Sequence, residues 1–462
     1  MDRGHAARRR GRDDRTAHPL KARLWTPRHA GRPDPAGCDA ALHRRADRRE
    51  VIPLGSLRML YLDHAAATPP QAEVLEAMAE VGQDGFANPA SSHAAGRRAR
   101  RLLEDARDRL LAALGTTAGR TRLVFTASAT EANQTAVAGL GGPEGIVASS
   151  DRDHPGLLAA GRLLAAAGRR LVRLPLDAGG RVDPDGLQTI RAERAKTTAA
   201  GSQGRVVLCS TLACSQSGIL EDLPRLHAAL CGVAGRDGLL HVDATQAVGR
   251  VPVEFDRLID RPGQSAQSTG LTAASLALGA HKLGGPRGIG ALLVRRDLDI
   301  SALLEGTQEA GLRGGTEAVT LAVGFAKAVE IAVAQQAEEA CRLSTLRDRL
   351  ERSLAAAARE HGIEAVVVGR EMPRVPHVSV IAFCGLDRQA IVMAADLAGV
   401  CISSGTACAS GSSEPSAALV AMGLPADLVG GAVRLSLGHT TQAEEVEQAA
   451  RILRNAVFNA RR

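Results

Sequence analysis

Lysine is scarce in this chain of 462 residues, with only Lys21, Lys196, Lys282 and Lys327 present. Lys21 lies in an Arg-rich opening segment, Lys196 in a polar Ala/Arg/Thr stretch, and Lys327 in a long helical pattern. Lys282 is set differently. It lies in Gly279-Ala280-His281-Lys282-Leu283-Gly284-Gly285-Pro286, directly after an apolar run that reads as a strand. An amine at the C-terminal edge of a buried strand, in a Gly-rich turn, suits Schiff-base chemistry with an aldehyde. A solvated turn lysine is the bland reading, and Lys282 alone does not decide against it.

Other residues carry the argument further. Asp243 ends the strand-like run Leu239–Val242, and Gln246 follows it. A carboxylate at a strand end holds a pyridinium nitrogen protonated and makes pyridoxal phosphate a better electron sink. Ala129-Thr130-Glu131 lies where the run Arg122–Thr126 turns into a helix, so backbone N–H groups and the Thr130 hydroxyl suit a phosphate. His154 opens another helix after a strand, where it would stack on a ring or carry a proton. Each of these alone reads as a cap or a turn residue. Their order along the chain is what ordinary capping does not explain.

Eight cysteines are present and none has Cys-x-x-Cys spacing, so no metal site is expected. Most lie in apolar runs and read as small core residues. Cys408 lies instead in Ser403-Ser404-Gly405-Thr406-Ala407-Cys408-Ala409-Ser410-Gly411-Ser412-Ser413, a small-residue run that reads as a loop. A partly exposed loop suits a reactive thiolate.

These residues need a scaffold. Strand candidates are Arg122–Thr126, Gly145–Ala148, Leu171–Leu176, Val206–Ser210, Leu239–Val242, Ser275–Leu278 and Ile289–Val294. Helical runs at Glu73–Glu80, Ala94–Leu114, Glu131–Gly139 and His154–Ala167 alternate with them. Such alternation predicts an α/β fold with a mostly parallel sheet covered by helices. A helical stretch from Ala318 to about Glu360 follows, then strand His377–Phe383, helix Gln389–Leu397, the Cys408 loop, strand Ala432–Leu437 and helix Ala443–Phe458. The pattern predicts a large domain over 59–318 and a long helix with a smaller C-terminal α+β domain over 319–462. Arg191–Gly204 and Arg261–Thr272 read as surface loops.

Composition bounds the function. Residues 1–58 hold 14 Arg and one Lys against six Asp and one Glu, while the whole chain carries only +7. The basic balance therefore belongs to this segment, which lacks apolar periodicity and reads as a disordered extension. Met59, just before the run Leu60–Leu62, is the expected true start. Aromatics are 2%, against nucleic-acid binding by stacking. No apolar run approaches the roughly 20 residues of a membrane span, and no signal-peptide pattern follows Met1, so a soluble, cytoplasmic protein is expected.

The chain resembles the cysteine desulfurases of the class V aminotransferases, fold-type I pyridoxal-phosphate enzymes. The resemblance runs from about Tyr61 to Val457. It is carried by Tyr61-Leu62-Asp63-His64-Ala65-Ala66-Ala67-Thr68-Pro69, Asn88-Pro89 to Ser92-His93, Ala129-Thr130-Glu131-Ala132-Asn133 and Asp153-His154. It continues through His241-Val242-Asp243-Ala244-Thr245-Gln246-Ala247, Ala280-His281-Lys282, Gln308-Glu309, Arg313 with Gly315-Thr316, the Cys408 run, Glu414-Pro415 and Arg434. The resemblance implies that Lys282 holds the cofactor covalently, Asp243 pairs its ring nitrogen and Gln246 its ring hydroxyl, and His154 stacks on the ring. Ala129, Thr130 and His281 would bind the phosphate, with Thr316 reaching it from a second subunit of a homodimer. Arg434 would grip the carboxylate of L-cysteine, and Cys408 would take its sulfur as a persulfide and release L-alanine. A sulfur-acceptor protein, for iron–sulfur cluster assembly or tRNA thiolation, is the implied partner.

Four positions depart from the family pattern. Gly279 stands where a Ser is usual, Ser128 replaces a Gly, Ser215 replaces an Asn near the ring hydroxyl, and Ala310 replaces a frequent Arg. These changes bear on cofactor affinity. They leave two alternatives open: another class V enzyme, such as a selenocysteine lyase or an aminotransferase-like enzyme, or a weakly active sulfur-carrier partner.

Overall fold

The computed structural model describes residues 59–142, 144–198, 204–259, 273–405 and 414–458. The N-terminal extension, the run Arg261–Thr272 and the Cys408 segment from 406 to 413 lie outside the described residues. In chain order the strands are β1 (Leu60–Tyr61), β2 (Thr121–Thr126), β3 (Ile146–Ser150), β4 (Arg170–Leu174), β5 (Val206–Thr211) and β6 (Gly238–Asp243). They continue with β7 (Ala273–Gly279), β8 (Gly290–Arg295), β9 (Ala365–Val367), β10 (Val378–Phe383), β11 (Val400–Cys401) and β12 (Ala432–Ser436). The helices are α1 (Ala72–Asp84), α2 (Ala94–Ala113), α3 (Ala129–Gly141), α4 (Pro155–Ala166), α5 (Gln188–Thr198), α6 (Leu223–Ala234) and α7 (Phe255–Ile259). The second half holds α8 (Val319–Ala334), α9 (Gln336–Glu360), α10 (Arg388–Leu397), α11 (Ala417–Ala421), α12 (Ala426–Gly430) and α13 (Ala443–Leu453).

Seven strands form the main sheet in the order β2-β8-β7-β6-β5-β3-β4. Only β8 runs against its neighbours, pairing antiparallel with both β2 and β7. Every residue of β3, β5 and β7 is buried, as expected for strands covered on both faces. All seven expected strands are present, with ends within two residues of the sequence reading. One expected loop is not: α5 occupies most of Arg191–Gly204, its Ile190 side chain fully buried.

The C-terminal part has its own three-stranded antiparallel sheet, β12-β10-β9. β1 pairs with β11 in parallel, and the bridges Asp63–Ser436 and Ser403–Arg434 join both segments to β12. Leu60 and Leu62, at the start of the described chain, therefore pack with Leu343, Leu350, Ile381, Val433 and Val446. The apolar packing does not divide at 318/319. Val319, Val323, Phe325 and Val329 of α8 share the main cluster with Val74 of α1 and Leu103 of α2. The long helical stretch is two helices meeting at Gln335, and only α9 turns its Leu343, Leu346, Leu350 and Leu354 stripe to the smaller sheet.

The parallel strands β5, β6 and β7 all end on one edge, at Thr211, Asp243 and Gly279. In open α/β sheets this carboxyl edge is where ligands bind. The turns that carry the candidate chemistry leave from it.

Candidate active site

Lys282 ends a short 3-10 turn, Ala280–Lys282, that follows β7 directly. Its Nζ donates to the carbonyls of Ala65 and Ala66, each at 2.8 Å. The segment after β1 thus crosses the mouth of the sheet. It is tied to the smaller sheet by Ala65 N, which donates to Ser436 Oγ at 2.9 Å, and to the lysine turn by Thr68 N, which donates to His281 O at 2.9 Å.

Asp243 ends β6, and its Cα pairs with Ala277 of β7. The carboxylate is 3% exposed. Its Oδ1 accepts from Thr245 N at 3.0 Å and its Oδ2 from Asn133 Nδ2 at 2.8 Å. Gln246 is buried beside it and donates from Nε2 to the same Ala65 carbonyl that Lys282 uses, at 2.8 Å. Its Oε1 lies 3.4 Å from His377 Nε2. Lys282, Asp243 and Gln246 therefore share one site.

The start of α3 faces this region. Ser128 caps it, accepting from Glu131 N at 3.2 Å, while Glu131 Oε2 accepts from Ala127 N at 2.9 Å. The Ser at this position, where the family has Gly, thus serves as the helix cap. The first N–H groups of the helix, at Ala129 and Thr130, have no carbonyl four residues back inside it. The Thr130 side chain packs on Gly156, where a Cβ would lie 2.9 Å from Thr130 Oγ1. His154 caps α4, with Nδ1 accepting from Gly156 N at 3.0 Å, so Thr130 and His154 are neighbours. Burial, followed by the charges of Lys282, Arg287 and His154, lowers the pKa of His281 to about 4. The imidazole is therefore neutral at ordinary pH. Gly279 lies between these groups. A Cβ there would meet Ala129 Cβ at 3.3 Å and the His281 ring at 3.5 Å.

Arg434, on β12, is 3% exposed. Nη2 donates to Asp63 Oδ1 and Nη1 to the Ser215 carbonyl, both at 2.9 Å. Its Nε is buried without a hydrogen-bond partner among the described residues. Ser215 thus meets Arg434 through its backbone. Thr316 is exposed and makes no hydrogen bond to the residues around Lys282 among the described residues. Cys408 lies outside them.

Sequence reasoning gave no role to several residues at this site. Asp63 is the acid that holds Arg434. His241 and Asp243 alternate along β6 and so share a face, and Asn133 faces both from α3. That alternation was the available signal.

The family described as Aminotransferase class-V matches residues 60–449. Cysteine desulfurase IscS of Dictyoglomus turgidum is 33% identical over 411 residues, which cover 87% of this chain and 96% of that protein. The IscS-like cysteine desulfurase of Mycobacterium tuberculosis is 36% identical over 417 residues, covering 87% of this chain and 98% of that one. Among solved structures, a NifS-like protein from Rickettsia africae superposes with a TM-score of 0.71 at 24% identity, over 87% of this chain and 99% of the other, a likeness of fold. With the matched family spanning both sheets and the whole set of residues around Lys282, the chain belongs to the aminotransferase class-V family, alongside the cysteine desulfurases.

Proposed function

We propose that this chain is a pyridoxal-phosphate-dependent cysteine desulfurase. It removes sulfur from L-cysteine, gives L-alanine, and carries the sulfur as a persulfide on Cys408. The observation that carries the reading is that the half-buried Lys282 amine and the buried Asp243 carboxylate stand at adjacent strand ends, while Arg434 is joined through Asp63 to the same segment that Lys282 contacts at Ala65 and Ala66.

The residues fit the cofactor. The class V aminotransferases use pyridoxal phosphate, and the site supplies an amine, a carboxylate and a helix start. Lys282 would hold the group covalently, Asp243 its ring nitrogen, and Gln246 with Ser215 the region of its ring hydroxyl. Ala129 N–H, the Thr130 hydroxyl and neutral His281 would hold the phosphate, with Thr316 added from a second subunit. His154 would stack on the ring. When bound, the cofactor supplies an electron sink for a carbanion at Cα of the amino acid.

The chain's own residues do the rest. Arg434 binds the substrate carboxylate, its guanidinium held in place by Asp63 and the Ser215 carbonyl. Lys282 Nζ, freed when the amino acid takes its place, removes the proton from Cα and later returns one to the product. The Cys408 thiolate attacks the substrate sulfur. A sulfur–sulfur bond forms as the carbon–sulfur bond breaks, the electron pair goes back to carbon, and protonation leaves alanine. A homodimer in the cytoplasm, passing sulfur to an acceptor protein for iron–sulfur cluster assembly or tRNA thiolation, completes the reading. No helix among the described residues is long and apolar enough to cross a membrane.

The test is a purified chain given L-cysteine. With an excess of thiol to reduce the persulfide, alanine and sulfide should appear in equal amounts; without it, brief exposure should add one sulfur atom to the peptide holding Cys408. The Cys408→Ser variant should bind cysteine without turnover. If it still released alanine at an undiminished rate, a lyase that expels sulfur or selenium without a cysteine nucleophile would replace this reading.

A further inference from the structure

Three buried polar side chains lie end to end behind Asp243. Ser275 Oγ is 2.8 Å from His241 Nδ1, His241 Nε2 is 2.8 Å from Asn133 Oδ1, and Asn133 Nδ2 is 2.8 Å from Asp243 Oδ2. Ser275, His241 and Asn133 are all 0% exposed. They come from β7, β6 and α3, and His241 and Ser275 are paired across adjacent strands. None of the three is expected to touch substrate or cofactor.

Donor counting gives the chain of contacts one direction. A carboxylate accepts only, so Asn133 must turn its amide nitrogen to Asp243. Its oxygen then faces His241, which must donate from Nε2. That leaves His241 Nδ1 as an acceptor, and the Ser275 hydroxyl donates to it. Burial lowers the His241 pKa to about 4, with the nearby Asp243 opposing, so the imidazole stays neutral and Nδ1 remains an acceptor. Every donor in the series points toward the carboxylate. Breaking a link leaves a buried polar atom of the series without its partner, and the Asn133 amide loses the contact that fixes it against Asp243. Buried polar networks of this kind act as units.

We propose that Ser275, His241 and Asn133 form a relay of fixed polarity that orients the Asp243 carboxylate toward the ring nitrogen of the cofactor, with Asn133 and His241 as positioning residues. This rests on the proposed role of Asp243 and extends it to three residues with no contact of their own to the ring.

The test compares holoprotein of the unsubstituted chain with the variants His241→Leu and His241→Gln. The Leu side chain removes the donor to Asn133, while a Gln amide restores an N–H near the place of Nε2. Pyridoxal phosphate is the probe, read by its visible absorbance band and its dissociation constant. His241→Leu should shift the band and weaken binding by about tenfold, the loss of one hydrogen bond to a charged group. His241→Gln should keep the unsubstituted band and stay within about threefold of its affinity. Should the Leu variant fail to fold, Ser275→Ala removes only the far hydroxyl and should give the same band shift in smaller measure. Identical bands and affinities in the Leu and Ser275→Ala variants would overturn the relay, and so would equal losses in the Leu and Gln variants, which would mark packing alone. An unsubstituted chain that takes up no pyridoxal phosphate would overturn the functional reading itself, and the relay with it. One that binds normally while its variants do not differ would overturn only the relay.

Discussion

At the scale of single residues, the setting of Lys282 separates it from the other lysines of the described chain. Lys196 is an exposed partner of Glu193 on α5, and Lys327 lies within α8. The Lys282 amine instead donates to two backbone carbonyls at the sheet edge. Lys282→Ala should therefore abolish the covalent chromophore and lower turnover by roughly 10²–10⁴-fold or more, the usual contribution of a positioned proton-transfer group. Borohydride reduction followed by peptide mapping should label Lys282, and a label on Lys196 or Lys327 would refute the assignment. Arg434 makes a different prediction. Its planar fork reaches Ser215 O and Asp63 together, a geometry that a lysine ammonium does not reproduce. Arg434→Lys should raise KM for cysteine by roughly tenfold, with a smaller effect on kcat, because the lost hydrogen bond serves binding. Steady-state kinetics with alanine as the readout distinguishes the two parameters.

At the scale of elements, the sequence reading succeeds where local pattern and tertiary setting agree. Each apolar run of the main sheet is short, β-rich and flanked by turn residues, so β5, β6 and β7 and the polar residues ending them are legible. The reading fails where a segment draws its order from distant partners. β9 and β11 are three and two residues long, and β11 exists by pairing with β1, far away in sequence. α5 has a polar sequence and is held by buried Ile190, which a composition-based loop assignment overlooks. The relay behind Asp243 was hidden for a similar reason, since Ser275 meets His241 only when β7 pairs with β6, and Asn133 only when α3 lies on the sheet. The β7 turn makes its own prediction. Gly279 has an extended backbone, φ −127° and ψ 134°, so a Ser there carries no backbone strain. Its Cβ would need only a shift of a few tenths of an ångström by Ala129, and its hydroxyl would join Thr130 and His281. Gly279→Ser should tighten pyridoxal-phosphate binding by about threefold to tenfold, as one added hydrogen bond to a phosphate would. An equilibrium titration monitored by the visible band measures it. Unchanged or weaker binding would mean that the phosphate lies elsewhere.

At the scale of the whole molecule, the proposed site takes the Thr316 hydroxyl from a second subunit. Thr316 follows Glu309 and Ala310, two consecutive non-glycine residues with left-handed backbones, φ 49° and 55°. Such a turn persists only when anchored. The anchor is Glu309, 7% exposed, which accepts from Arg107 Nη1 and Nη2 at 2.8 and 3.0 Å and from Phe125 N at 2.9 Å. The rigid turn presents Thr316 to solvent, next to a groove lined by Pro89, Arg107, Gln308, Glu309 and Glu317. Phe86, close by in sequence to Pro89, is 80% exposed. A second copy of the chain would cover these surfaces and receive Thr316 into its own phosphate region. The expected species in sedimentation is accordingly twice the 48.0 kDa chain mass. Complementation tests the exchange directly. Thr316→Ala subunits mixed with Lys282→Ala subunits should form hybrid dimers in which one site has both its lysine and the partner's threonine. At low pyridoxal phosphate, random exchange should recover about a quarter of the unsubstituted activity, since half of the dimers are hybrids with one intact site each. Activity no greater than the sum of the separate variants, or a fully active monomer, would mean that each chain completes its own site.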